Sequence, residues 1–76
     1  MRRIKFIWDF YGPSAFDTAK HHEIHLKDYC RMEALSEWES GHKMMSEDHA
    51  IATLVISEAH LKQIRDRLKP HRAVVA

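Results

Sequence analysis

Apolar and polar residues alternate from the start of the chain: Ile4, Phe6, Trp8 and Phe10 are interleaved with Arg3, Lys5, Ile7 and Asp9. A period of two predicts a strand with one strongly apolar face. Gly12-Pro13 ends this strand, and Ser14 can cap a following helix, with Asp17 completing an acidic variant of the capping box. The helix is predicted to run to about Glu33, with Ala19, His22, Leu26 and Tyr29 recurring at helical spacing as its inward stripe. Two further segments predict a hairpin. Ala34 to Lys43, containing Leu35 and Trp38, is the weaker arm, and Ala50 to Ile56 is rich in aliphatic and β-branched residues; polar residues around Ser46-Glu47-Asp48 divide them. Ser57 can cap a second helix built on Leu61, Ile64 and Leu68 and closed by Pro70. Ala73 to Ala76 can add a short last strand.

This order, β-α-β-β-α with a short final strand, predicts an α+β fold of the ferredoxin-like split β-α-β type, a sandwich formed by one domain over residues 1–76. In that fold the first and third strands are central. The third strand carries Ala52, Leu54 and Ile56 on one face and Ile51, Thr53 and Val55 on the other, so both of its faces are largely apolar. Helices on one side of the sheet cover only one of them. The expectation is therefore a homodimer formed through the open sheet face. A lone sheet exposing a few aliphatic side chains is the plainer alternative.

Size sharpens that expectation. A chain of 76 residues builds a core worth only about 3–5 kcal/mol, and small domains commonly add a disulfide, a metal or a partner. The single cysteine, Cys30, excludes an internal disulfide and a zinc cluster of paired cysteines. It reads as a small buried hydrophobe in a reducing, cytoplasmic setting. The longest apolar run, Ala50 to Ile56, has the length of a strand rather than a membrane span, and the basic start of the chain is not followed by a signal-peptide pattern. Twelve Lys and Arg against eleven Asp and Glu give a net charge of +1, far from the profile of a dedicated nucleic-acid binder. Seven histidines make the charge balance sensitive to mild acid.

Trp8-Asp9-Phe10, Gly12-Pro13, the stretch from Ala19 to Leu26 and the closing Leu68-Lys69-Pro70-His71-Arg72 resemble small uncharacterised bacterial proteins of about this length. That resemblance implies no activity and transfers no catalytic or binding residue.

The histidines offer the chemistry. Asp17, His21, His25 and Asp28 form a column along the first helix; two imidazoles one turn apart, with Asp17, can hold zinc or another divalent ion. His42 or His49 can add a ligand only if folding or dimerisation brings it near. The same column also reads as a solvated helix face. His22, on the inward stripe, needs a polar partner, and Asp9 and Tyr29 are candidates. If the three converge they form an acid/base set in which the carboxylate orients the imidazole and the phenol polarises a carbonyl group. A histidine simply satisfied within the core is the alternative. Lys62, Arg65, Arg67, Lys69 and Arg72 make the end of the chain basic, whereas residues 33–48 are mostly acidic. Three functions remain open: a small dimeric ligand-binding or interaction domain, with or without a divalent metal on the helix histidines; a cofactor-free acid/base enzyme acting on a carbonyl compound; and a basic-helix binder of nucleic acid or another anion.

Overall fold

The alternation of the first strand is realised in full: Ile4, Phe6 and Trp8 are 5, 1 and 3% exposed and enter a single core with Ala50, Ala52, Leu54 and Ile56. The computed structural model describes residues 2–76. Its elements are β1 (Arg3–Tyr11), α1 (Ala15–Met32), β2 (Glu39–Ser46), β3 (His49–Ser57), a 3-10 turn (Glu58–His60) leading into α2 (Leu61–Leu68), and β4 (Arg72–Val75). The four strands form one sheet in the order β2-β3-β1-β4, every neighbouring pair antiparallel. The chain is thus α+β, a four-stranded antiparallel sheet with two helices, compatible with a split β-α-β sandwich.

Both helices pack on the same face. Ala15, Ala19, Leu26 and Cys30 of α1 and Ile64 of α2 are buried in the core cluster with the even-numbered residues of β1 and β3. Register places Lys5, Ile7, Asp9 and Tyr11 of β1 on the opposite face, together with His49, Ile51, Thr53 and Val55 of β3. No described helix or strand covers that face.

Several local expectations are corrected. Ser14 makes no side-chain cap bond, so the box with Asp17 does not form; instead the Ser14 carbonyl accepts from both the amide and the hydroxyl of Thr18, each at 3.0 Å. The inward stripe of α1 is Ala15, Ala19, Glu23, Leu26 and Cys30, with His22 and Tyr29 half-buried at its edge. The helix is rolled towards β2, where polar partners await Glu23. The second strand begins at Glu39 rather than Ala34, because α1 ends in a Schellman motif. Leu35 N–H donates to the Cys30 carbonyl (2.9 Å) and Ala34 N–H to that of Arg31 (3.1 Å), while Ala34 takes a left-handed φ of 53°. Leu35 is then the apolar residue that folds back onto the core, and Trp38 Nε1 donates to its carbonyl at 3.2 Å. These two residues, expected within the strand, belong to its approach. The last strand starts one residue early, at Arg72.

Candidate functional site

Asp9 occupies a central strand, on the face away from the helices. Register explains what meets it there: β3 brings His49 beside Tyr11, and β4 brings Arg72 beside Ile7, each one diagonal step from Asp9. Arg72 donates to both carboxylate oxygens of Asp9 at 2.9 Å, and His49 Nε2 lies 2.8 Å from Oδ1. The Tyr11 ring stacks on His49 at 4.5 Å, with an interplanar angle of 10°. The Asp9 amide donates to His71 Nδ1 at 2.8 Å. One aspartate therefore organises a histidine from the hairpin and two residues from the far end of the chain.

Burial alone would raise the Asp9 pKa, but the hydrogen bonds and charges of Arg72 and His49 hold it below the ordinary carboxylate value. An ionised carboxylate only accepts, so the hydrogen of this contact sits on His49 Nε2 and Nδ1 is turned away from Asp9. An imidazole fixed in this way can accept a proton.

A second polar group lies on the helix side. Glu23, 8% exposed, accepts from Ser40 Oγ at 2.7 Å and pairs with His42 Nδ1 at 2.5 Å, while Lys27, one helical turn on, approaches at 3.5 Å. Phe16 meets the His42 ring edge-on at 5.2 Å. Desolvation opposes ionisation of Glu23, and the bonds from His42 and Ser40 with the nearby Lys27 outweigh it, so its pKa is lowered. This cluster closes the gap between α1 and β2 with hydrogen bonds instead of hydrocarbon.

The residues of the expected acid/base set are not brought together. His22 lies on the helix side, tilted against Trp8 at 5.0 Å and Phe10 at 5.4 Å between ring centroids, whereas Asp9 projects from the other face of the same strand. His22 Nε2 is buried and meets no hydrogen-bond partner among the described residues. Tyr29 accepts from Gln63 Nε2 at 2.9 Å and so joins α1 to α2. The helix column is in place but open: Asp17, His21, His25 and Asp28 are all exposed. Among the described residues, no group of three or more His, Cys, Asp or Glu side chains is arranged to hold a metal ion. His42 and His49 are engaged with Glu23 and Asp9 instead of joining that column.

In the fold Asp9 meets His49, and His22, the histidine expected beside it, lies across the sheet. The alternation that put Ile4, Phe6 and Trp8 inward already placed Asp9 outward and His22 inward, on opposite sides of the sheet. Pairing Asp9 with His49 requires the β1–β3 register, which no local pattern supplies. Glu23 was missed because a carboxylate on an inward helix position is unusual without partners. No helix among the described residues is long and apolar enough to cross a membrane. No family model, curated protein or solved structure matches the chain.

Proposed function

We propose that the chain is a small cytoplasmic binding domain of ferredoxin-like topology that works as a homodimer, the open face of its sheet meeting the same face of a second copy. One observation carries this reading: β3 is apolar on both sides, and the helices cover only one. On the side away from the helices Ile7 and Ile51 are only 7 and 6% exposed, and the apolar surface offered there is that of the half-exposed Val55 and the 48% exposed Val74, framed by Lys5 and Lys43 and by Glu39. A two-fold axis through such a face lets the acid of one copy meet the bases of the other while that apolar surface is buried. In this reading a divalent ion on His21 and His25, with Asp17, draws its remaining ligands from outside the chain. Sedimentation of the tag-free protein at micromolar concentration is expected to show a dimer. Val55→Glu, at a half-exposed position on that face, is expected to give a folded monomer. A monomeric native protein would refute the pairing.

A second reading, an acid/base enzyme acting on a carbonyl compound, is favoured by the Asp9–His49 geometry, with His49 taking the role first given to His22. His49→Asn is expected to abolish turnover found in a screen of carbonyl substrates while leaving the circular dichroism spectrum unchanged. Retained turnover in that variant would end this reading.

A further inference from the structure

The shortness of two elements leaves space at the edge of the sheet. Helix α2 has eight residues and buries Ile64 fully, and β4 turns only Ala73 and Val75 towards the helix side. Ala73, the cross-strand partner of Phe6, is exposed, and its single methyl leaves a hollow at the sheet edge beside α2, while Phe6 itself is 1% exposed and packed in the core. The result is a cavity of about 340 Å³ lined by Phe6, Leu61, Pro70 and Ala73, with Arg65 and His71 contributing polar groups. Cavities of roughly 300–1,000 Å³ hold small molecules, and this one lies at the small end.

The polar groups are all of one kind. His71 Nδ1 is occupied as the acceptor of the Asp9 amide, so the neutral ring carries its hydrogen on Nε2 and offers only a donor. Arg72 also borders the cavity, but its guanidinium is committed to Asp9. Arg65 is not committed: its Nε stands 3.7 Å from Asp66 Oδ1 with both side chains more than half exposed, a pairing that water screens. Leu61 and Arg65 are one helical turn apart and line the same wall. Around them Lys62, Arg67 and Lys69 are opposed in α2 by Asp66 alone.

We infer that this cavity binds a small organic carboxylate, its aromatic or branched aliphatic body against Leu61, Pro70 and Ala73 and its carboxylate against the Arg65 guanidinium and the His71 N–H. The inference rests on the binding-domain reading above and names the class of ligand. Phenylacetate and its uncharged counterpart phenylacetamide test it by titration of the full chain, followed in ¹H–¹⁵N spectra. Phenylacetate is expected to shift the amides of Leu61, His71 and Ala73 saturably, and phenylacetamide to bind about tenfold more weakly. Arg65→Gln should bring the acid down to the level of the amide and leave the amide unchanged. Ala73→Leu, at an exposed position that tolerates the larger side chain, should abolish both. Equal affinity for acid and amide, equal shifts produced by inorganic phosphate, unaltered binding to Ala73→Leu, or no saturable shift would each overturn the inference. Arg65 and Ala73 lie away from the open face, so sedimentation of the same samples separates the two proposals. A dimer that ignores phenylacetate overturns this one alone, and a monomer that binds phenylacetate overturns only the pairing.

Discussion

Ala34 stands where helices usually place glycine. Its φ of 53° brings Cβ close to the following carbonyl, at a cost of roughly 1–2 kcal/mol for an L-residue, and the Schellman bonds of Leu35 and Ala34 hold it there. Glycine removes the clash but enlarges the freedom of the unfolded chain by roughly 0.5–1 kcal/mol. Ala34→Gly is therefore expected to stabilise the protein by about 0.5–1 kcal/mol, read as a higher urea midpoint with an unchanged slope; a lower midpoint would contradict the cap geometry. Nothing in the local sequence marks Ala34 for this role. The hydrophobic pattern promises that the helix stops, but not which residue takes the left-handed turn.

Between elements, His22 is the informative side chain, because it fills the seam between α1 and β1 against Trp8 and Phe10. Burial, and then the nearby charges of His25 and His71, depress its pKa below the ordinary 6.5. The sign follows directly: the folded state holds fewer protons than the unfolded one, so the stability linked to His22 is present above pH 6.5 and drains away as the pH falls towards the folded value. His22→Leu removes both the unpartnered nitrogen and the titration. It is expected to raise stability by about 1 kcal/mol and to flatten the difference in urea midpoint between roughly pH 7.5 and 5.5. A variant as acid-sensitive as the native chain would show that the sensitivity lies elsewhere. Asp9 and Glu23 act at lower pH, since their lowered pKa values preserve stability above the ordinary carboxylate range and lose it as the pH drops through it. Their partners, His49 with Arg72 and Ser40 with His42, all come from other elements, which is why spacing along the chain did not reveal them.

At the scale of the molecule, the proposed pairing ties stability to protein concentration. If two copies pair through it, association stabilises the folded state by mass action, and the melting temperature of the native chain rises with protein concentration while that of Val55→Glu does not. Parallel behaviour of the two proteins would count against pairing as firmly as sedimentation would. The opposite side of the sheet is closed by the helices except beneath α2, where small residues and a short helix leave the cavity beside Arg65.

By itself the sequence determined the order of strands and helices, the inward set Ile4, Phe6, Trp8, Leu54, Ile56 and Ile64, and the two-sided character of β3. Periodicity and turn chemistry are local, and burial of apolar side chains follows them. Only the tertiary structure decided that Asp9 meets His49 and Arg72 instead of His22, that Glu23 lies under His42 and Ser40, and that Ala73 pairs with Phe6 beside the hollow at α2. Each of those meetings joins residues far apart in the chain. They depend on strand register and on the roll of α1, and a slip of one residue in register would send every side chain of a strand to the other face.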